Sequence, residues 1–281
     1  MVEKIFLEKK IKFPKDINKE NIILKKLKEI FENEDFFTYF VEEFSRVEKK
    51  EHNPNSMKQI EVYKPQIRDL LRLFEFIVLN KRTTILEFGS GWSTLLISIA
   101  LEKLKKENKN ILNEIRRSDP FKVFSIDNEK KFLKITKERI KKYFVDKQGG
   151  KNVNYHLADC NICLYNGNYC IEYSSLPVCN PDFIYIDGPD IFNVKGKIKN
   201  FSYGHQDIMP IICDILKIEF FLIPGTIILM DGRTANAQFL YQNLKRNWKY
   251  YYDRINDQNL FYLDAPSLGK HNDDLLKFYS N

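Results

Sequence analysis

One stretch constrains the fold of this chain more than any other: a short strand that runs into a glycine turn and then directly into an apolar helix. Residues 84–87 have strand propensity, Gly89 and Gly91 form a Gly-x-Gly turn, and a helical apolar run begins at Leu95. A strand, a tight turn and a helix N-terminus in this order build the pocket for a nucleotide-like ligand in α/β folds. We therefore expect a ligand at this turn, because glycine lets the backbone adopt positive φ and approach it closely.

The acid Glu87 narrows the class of ligand. A dinucleotide fingerprint has a third glycine and places a pyrophosphate on the helix N-terminus, but here Thr94 stands at the third glycine position. A carboxylate two residues before the first glycine suits an ammonium group better than a pyrophosphate. Ser90 and Ser93 stand where the helix starts, and can either cap free N–H groups or contact the ligand.

The length and composition indicate one sizeable folded α/β domain with an extension. The chain has 281 residues, of which 43% are hydrophobic and 14% aromatic. The first residues carry charge but no apolar signal region, and the longest apolar run, residues 220–230, is interrupted by Pro224 and Gly225. That run is too short to span a bilayer. We expect a cytoplasmic protein without a membrane partner.

Five cysteines suggest free thiols in a reducing compartment, because their number is odd and no secretory signal precedes them. Cys160-x-x-Cys163, followed by Cys170 and Cys179, is a conceivable zinc set. The spacing is irregular and the second pair is not a knuckle, so buried or loop thiols are the favoured interpretation.

The excess of seven basic residues is concentrated between residues 130 and 151, which hold nine basic and two acidic side chains. The favoured interpretation is a solvated helix face. Phe132, Tyr143 and Phe144 are better placed as the buried stripe of that helix than as a platform for stacked bases. Nucleic acid is therefore not an expected partner, although an RNA-binding surface remains an alternative.

The order of elements predicts the fold class. Residues 1–65 are expected to form a helical extension, with helices at 21–31 and 36–44, that serves as a cover, a lid or a dimer face; a homo-oligomer is left open. Residues 66–281 form the second domain, with helices and strands in alternation. Its expected strands lie near residues 84–87, 122–126, 152–157, 182–190 and 225–233, with helices at 66–79, 129–143, 207–221 and 234–248 and a closing hairpin at 250–255 and 259–263. This pattern predicts a doubly wound, mostly parallel α/β sheet with a terminal antiparallel hairpin.

Acids end four of these strands, and a fifth lies just past the third strand. In a parallel sheet they share the carboxyl edge, where open α/β sheets bind ligands. They are Glu87, Asp127, Asp187 and Asp231, with Asp159 after the third strand. Asp127-Asn128 suits the hydroxyls of a ribose, because a carboxylate accepts from two adjacent OH groups. The alternative is that Asp127 caps the following helix.

The Glu-x-Gly-x-Gly pattern and this layout resemble the class I S-adenosylmethionine (SAM)-dependent methyltransferases, whose fold is Rossmann-like, over roughly residues 66–263. The resemblance implies that SAM is the cofactor and that Asp159 accepts from the adenine amine. It implies a cofactor-binding set of Glu87, Gly89, Ser90, Gly91, Ser93, Asp127, Asn128 and Asp159.

Asp187 and Asp231 are expected to serve the acceptor as catalytic residues, together with His205 as a general base in the loop after the fourth strand. Two carboxylates on adjacent strand tips raise each other's pKa unless a cation lies between them. Metal-dependent O-methyltransferases of the catechol type, which this region resembles, use acids at these two positions, so Mg²⁺ held by Asp187 and Asp231 is a further expectation. Gly232 replaces the amide of that family, which leaves Asp190 or Asp207 as the third ligand.

The sequence thus predicts a methyltransferase of the EC 2.1.1 class that O-methylates a small-molecule or sugar-like acceptor. Asp187-Gly188-Pro189-Asp190 stands where an Asn-Pro-Pro-Tyr-type sequence would indicate amino-methylation of a nucleobase. Two alternatives remain: an NAD(P)-dependent Rossmann oxidoreductase, and an RNA-binding or RNA-modifying methyltransferase. A stabilising effect of the nicotinamide cofactor would favour the first, and a steeply salt-dependent RNA affinity the second.

Overall fold

The computed structural model describes residues 2–48, 66–113, 115–145, 150–204 and 208–280. Ten strands alternate with helices along these ranges. The strands are β1 (Thr84–Phe88), β2 (Lys122–Asp127), β3 (Val153–Leu157), β4 (Cys160–Tyr165), β5 (Asn168–Tyr173), β6 (Phe183–Ile186), β7 (Val194–Lys195), β8 (Ile227–Asp231), β9 (Trp248–Asp253) and β10 (Gln258–Leu263). The α-helices are α1 (Val2–Glu8), α2 (Glu20–Phe31), α3 (Glu34–Glu48), α4 (Ile67–Leu79), α5 (Trp92–Glu107), α6 (Lys130–Tyr143), α7 (Asp214–Ile218), α8 (Thr234–Asn243) and α9 (Lys270–Ser280).

Seven strands form the main sheet in the order β3-β2-β1-β6-β8-β10-β9. The first five in this order are parallel, and β10 runs antiparallel to both β8 and β9. The strand order reverses between β1 and β6, and such a switch point is where open α/β sheets bind ligands. The predicted fold class, a doubly wound and mostly parallel sheet with a terminal antiparallel hairpin, is confirmed.

The central strands alternate between two hydrophobic cores because successive side chains of a strand point to opposite faces. Ile85 packs into the core that contains α4 and α5, whereas Leu86 packs into the core that contains α7 and α8. Both faces of β1 and β6 are therefore covered, and every residue of these two strands is buried. Helices on both faces leave only the ends of the parallel strands open.

The N-terminal helices extend the first core. Two of the predicted helices are confirmed as α2 and α3, whose apolar side chains meet an aromatic cluster of Phe31, Phe36, Phe40, Trp92 and Tyr143. Helices α2 and α3 thus pack on α4, α5 and α6, whereas α1 and Phe13 lie against β9 at the edge of the main sheet. The predicted domain boundary at residue 65 lies outside the described residues and stays a prediction.

Several element boundaries differ from the prediction. The helix expected at 207–221 is only α7, because residues 211 and 213 are bound to Ile171 of β5 by backbone hydrogen bonds instead. The helix expected at 234–248 ends at Asn243, because the Glu219 carboxylate accepts hydrogen bonds from the Lys245 and Arg246 N–H groups, which holds the chain in a turn. Residues 248–253 then form β9.

Five further elements were not predicted. The segment after β3 folds into the hairpin β4–β5, which joins β7 in a second sheet of order β5-β4-β7. Helices α1 and α9 are also additional. Within the described ranges, no helix combines the length and the apolarity that crossing a bilayer demands.

Candidate active site

Four of the predicted acids lie close together at the carboxyl edge. Glu87 is the next-to-last residue of β1, Asp127 ends β2, Asp187 follows β6 and Asp231 ends β8. Their charges act on one another: Asp187 raises the pKa of Glu87 and of Asp231, and Asp127 raises the pKa of Asp187, although burial is the larger cause for each. The sheet therefore concentrates negative charge at the predicted edge.

The glycine turn after β1 is fixed by a second glycine that sequence reasoning did not single out. Gly89 has a φ of 102°, and a Cβ at this position would lie 2.8 Å from the Gly188 nitrogen. A Cβ on Gly188 would lie 2.6 Å from the Gly89 Cα. The Phe88 carbonyl accepts hydrogen bonds from the Asp187 and Gly188 N–H groups at 2.9 and 2.6 Å. The loops after β1 and β6 thus touch backbone to backbone.

Gly91 plays a different part from Gly89. Its backbone is extended, and a Cβ there would meet no atom within 4 Å. The open space beside Gly91 is therefore where a ligand can approach the turn. Ser93 follows on the first turn of α5 and is buried, and its hydroxyl acts to lower the pKa of Glu87.

Glu87 is completely buried and only half satisfied. Its Oε2 accepts a hydrogen bond from the Thr94 hydroxyl at 2.7 Å, whereas its Oε1 has no hydrogen-bond partner. Burial raises the pKa of Glu87 to about 7, against the hydroxyl groups of Thr94, Ser93 and Ser125, which favour the carboxylate. A buried carboxylate oxygen without a partner fits a cationic ligand group, so the residues present suit the ammonium end of SAM.

Thr94 was not predicted as a site residue. Its hydroxyl also accepts a hydrogen bond from the Gly91 N–H at 3.1 Å, so one side chain links the turn to the acid. The spacing could have identified Thr94, because this residue stands where a dinucleotide fingerprint has its third glycine. Its role becomes visible only with the folded turn.

Asp127 is buried at the end of β2, where burial raises its pKa to about 6. Its Oδ2 accepts from the Ser90 hydroxyl at 2.6 Å and its Oδ1 from the Glu129 N–H at 2.8 Å. The alternative role as a helix cap does not hold, because Glu129 is the N-cap and accepts from the Lys131 N–H at 3.0 Å. Asp127 and Ser90 together face the turn.

Asn128 holds the loop after β6. Its side-chain amide donates to the carbonyls of Asp190 and Asn193 at 3.0 and 3.2 Å, and its Oδ1 accepts from the Asp190 N–H at 3.1 Å. Asn193 returns a bond to the Asn128 carbonyl at 2.6 Å. These contacts make Asn128 a positioning residue for the loop that follows Asp187.

Asp159 stands apart from the buried acids. Its side chain is 56% exposed and pairs with Lys195 at 2.6 Å. The preceding Ala158 donates its N–H to the Asp127 carbonyl at 3.1 Å, which keeps Asp159 beside the end of β2. The structure therefore places this residue at the rim of the edge.

Asp187 and Asp231 have different environments. The Asp187 side chain has exposed surface, but protein surrounds it closely and keeps much of the solvent away. This desolvation raises the pKa of Asp187 to about 6, and the charge of Arg233 opposes the shift. Arg233 also donates to the Asp187 carbonyl. Asp231 has both oxygens engaged, by the hydroxyl of Tyr185 and by Gln258 Nε2, the latter at 2.8 Å.

A network that the sequence did not reveal supports Asp231. Gln258 accepts a hydrogen bond from Arg72 Nε at 2.7 Å, and Arg72 also pairs with Asp16 at 2.8 Å. Asp69, on the same helix α4, has a pKa raised to about 7 by burial and by the charge of Asp231. No sequence signal marks Asp69, Arg72 or Gln258, because only tertiary packing brings α4 to this edge.

The described residues do not complete a magnesium site. Both oxygens of Asp231 already accept hydrogen bonds, and the largest charge effect on Asp187 comes from the Arg233 cation rather than from another acid. Asp190 turns its Oδ1 to the Phe192 N–H at 3.1 Å. Across these ranges, three potential ligand atoms approach within 4.8 Å of one another only in a group of thiols. Asp207 and the predicted base His205 lie outside the described residues.

Comparisons with known proteins find solved structures with a similar fold, but they find no relatives by sequence. No protein-family model and no curated protein matches the chain. The structure is similar to the O-methyltransferase TomG from Streptomyces achromogenes, involved in tomaymycin synthesis and solved in complex with SAM, at 13% identity and a TM-score of 0.39 over 94% of this chain and 96% of that one. It is also similar to cofactor-bound Rv0187 from MTB, at 10% identity and a TM-score of 0.44 over 90% of this chain and 100% of that one. We therefore infer function from the residues of the site.

Proposed function

We propose that this chain is a SAM-dependent methyltransferase that O-methylates a small-molecule or sugar-like acceptor. The observation that carries the proposal is the buried carboxylate of Glu87, with one oxygen unpartnered beneath an open glycine turn. A desolvated negative charge at this place favours an ammonium group. The same charge disfavours the pyrophosphate of NAD(P), which is the rival cofactor.

The remaining cofactor residues follow from their positions. Asp127, with Ser90 on one oxygen, presents acceptors for the two hydroxyls of a ribose. Asp159, at the rim, is placed for the exocyclic amine of the adenine. When bound, SAM supplies a methyl group on a sulfonium, which the acceptor oxygen takes by in-line displacement.

Asp187 is the group best placed to receive the acceptor's proton. Its side chain is exposed at the carboxyl edge, and a pKa of about 6 leaves most of it ionised at neutral pH yet basic enough to accept a proton. Asp231 is held by Tyr185 and Gln258, so its role is to position the acceptor. His205, which lies outside the described residues, remains a further proposed base.

Calorimetric titration with SAM, on wild type and on Glu87→Gln, tests the proposal. Loss of a hydrogen bond to a charged group costs about 1.5–3 kcal/mol, so we expect roughly 10- to 100-fold weaker SAM binding in the variant. The control, Glu102→Gln, removes the same charge from α5 away from the edge and should bind SAM like wild type. No heat with SAM, or a stabilising shift with NAD⁺ instead, would contradict the proposal.

The acceptor class is tested separately. Wild type and Asp187→Asn are incubated with labelled SAM and pools of phenolic, sugar and RNA acceptors. We expect label in a hydroxyl-bearing small molecule, and a loss of turnover in Asp187→Asn while SAM affinity is retained. RNA methylation is not expected, because Tyr143 is buried against Phe31 and Phe36 and offers no stacking surface.

A further inference from the structure

Three cysteines from three segments meet in the smaller sheet, away from the carboxyl-edge acids. Cys163 on β4 and Cys170 on β5 are directly paired across the hairpin. Cys213 follows Ile212, which pairs with Ile171 next to Cys170. The Sγ atoms of Cys163 and Cys170 are 3.8 Å apart and those of Cys163 and Cys213 are 3.5 Å apart. All three sulfurs lie within 4.8 Å of one another.

These separations match those of thiolates around one thiophilic cation. A zinc–sulfur bond of about 2.3 Å in tetrahedral geometry places two ligand sulfurs about 3.8 Å apart. Two of the distances are within about 0.3 Å of that value, so closing the site needs small side-chain rotations and no displacement of the strands. The backbone pairing of β4, β5 and residue 212 has already set the spacing.

Burial and charge also suit a metal site. Cys170 and Cys213 are fully buried, and Cys163 is partly exposed, so the trio is open to solvent on one side. Lys217 brings a positive charge close to Cys163 and Cys170. The thiolate is the form that ligates metals, so binding of an ion releases the thiol protons.

The other two cysteines are not part of the group. Cys160 is three residues from Cys163 on the same strand, so its side chain points to the opposite face. Cys179 lies near Asp119 and Arg117. The Cys160-x-x-Cys163 spacing therefore did not indicate the set that the fold brings together, because cross-strand register rather than sequence proximity forms it.

We propose that Cys163, Cys170 and Cys213 form a Zn²⁺ site, with water or an added small ligand in the fourth position. Each zinc–sulfur bond forms as a thiol releases its proton to the buffer, and no electron is transferred. The bound ion ties the β4–β5 hairpin to the segment before α7. Its effect is to stabilise the smaller sheet, independently of the function proposed for the carboxyl edge.

The test uses the full chain, reduced and freed of metal by a chelator. We expect one Co²⁺ per chain with a thiolate-to-cobalt charge-transfer band, displaced by Zn²⁺, and an unfolding temperature that rises with Zn²⁺. Cys163→Ala should lose both effects. Cys179→Ala is the matched control, since its thiol is also half-buried but lies outside the trio, and it should retain both.

The circular dichroism spectrum of Cys163→Ala establishes that the variant is folded, and Cys213→Ala provides a second loss of a ligand. The proposal is overturned if the reduced wild type shows neither the band nor the stabilisation, or if Cys163→Ala binds Co²⁺ as wild type does. Formation of a Cys163–Cys170 or Cys163–Cys213 disulfide without any metal binding also overturns it.

Discussion

Glu87 and Asp182 are two buried acids at opposite edges of the main sheet, and they differ in how many partners the protein provides for their oxygens. Both side chains have no exposed surface. Asp182, just before β6, accepts from the N–H groups of Thr83 and Thr84 at 3.0 Å and from the Tyr279 hydroxyl at 2.8 Å. Arg117 adds an ion pair at 3.1 Å. Glu87 has a single side-chain donor on one oxygen and none on the other.

This difference in hydrogen bonding indicates that the amino edge, with Asp182, is structural and that the carboxyl edge, with Glu87, binds a ligand. Buried polar groups are ordinarily satisfied, and those that are not need a particular explanation. At the amino edge the protein itself supplies partners for both oxygens of Asp182, and Arg82 stacks on the Tyr279 ring 4.1 Å away. At the carboxyl edge a partner is missing from Glu87, and the pKa values of four acids are raised by burial. The missing partner is what a cationic ligand would provide.

The largest expected effect is on the amino edge. Asp182→Ala leaves the buried guanidinium of Arg117 without its counter-charge and two backbone N–H groups without an acceptor. Breaking a buried ion pair by removing one partner costs about 3–5 kcal/mol. We expect a loss of that size in the free energy of unfolding, measured by urea titration.

If the two edges differ in this way, the Glu87→Gln variant does not lose stability as Asp182→Ala does. Its free energy of unfolding without ligand should equal or exceed that of wild type, because a desolvated charge has been removed. A loss in Glu87→Gln as large as that in Asp182→Ala would show that both acids are structural.

The second expected effect is that the free energy of unfolding depends on pH when no ligand is bound. Burial raises the pKa of Glu87 from 4.5 to about 7, so between these values the folded chain holds a proton that the unfolded chain has released. The free energy of unfolding therefore falls as pH rises through this window, by about 3 kcal/mol at most from this group. Urea titrations at intervals from pH 4.5 to 7.5 should show the fall, a smaller one in Glu87→Gln, and a recovery near pH 7 when SAM is added. A flat profile in wild type would contradict the burial of a charged Glu87.

The third prediction concerns the contact between the two glycine loops. Gly188→Ala places a methyl group 2.6 Å from the Gly89 Cα, and overpacking of this kind costs about 1–3 kcal/mol. Gly91→Ala is the matched control, because its Cβ meets no atom and its backbone is extended. Thermal unfolding should separate the two variants, with Gly91→Ala as stable as wild type but weaker in SAM binding. Equal stability of all three proteins would mean that the loops are not in contact.

The smallest effect is expected at the rim. Asp159 and Lys195 are both more than half exposed, and surface ion pairs of this kind contribute about 0–1 kcal/mol. Asp159→Asn should therefore leave the unfolding temperature nearly unchanged. A fall of SAM affinity in this variant, without loss for an analogue that lacks the adenine amine, would place Asp159 at the adenine.

Much of the fold was predictable because its signals are local. The apolar runs at β1, β6 and β8, each with an acid at its end followed by a glycine turn, predicted the parallel strands and the edge at which the acids lie. The hairpin β4–β5 was missed, because its strands contain polar and aromatic residues without regular alternation. The length of α7 was misjudged, because its helical pattern continues into residues that pair with β5 instead.

The candidate site was predictable only in part. Acids at strand tips follow from sequence once the strands are placed, so Glu87, Asp127, Asp187 and Asp231 could be named. The hydrogen-bond partners of these acids could not be predicted, because they depend on Thr94, on Gln258 and on the backbone contact at Gly188. Asp69 could not be predicted as a site residue, because it lies in the first turn of the amphipathic helix α4 and reaches the edge only through packing.

The backbone contact between Gly89 and Gly188 limits how such an enzyme could diversify. The first residues after β6 cannot vary freely, because any side chain at Gly188 would push against the turn beside Glu87. New acceptor preferences would have to arise further along the loop, beyond the residues that Asn128 holds, or in the N-terminal segment that reaches Arg72 through Asp16. Lineages that descend from this chain should accordingly keep the glycine pair fixed while those two regions drift.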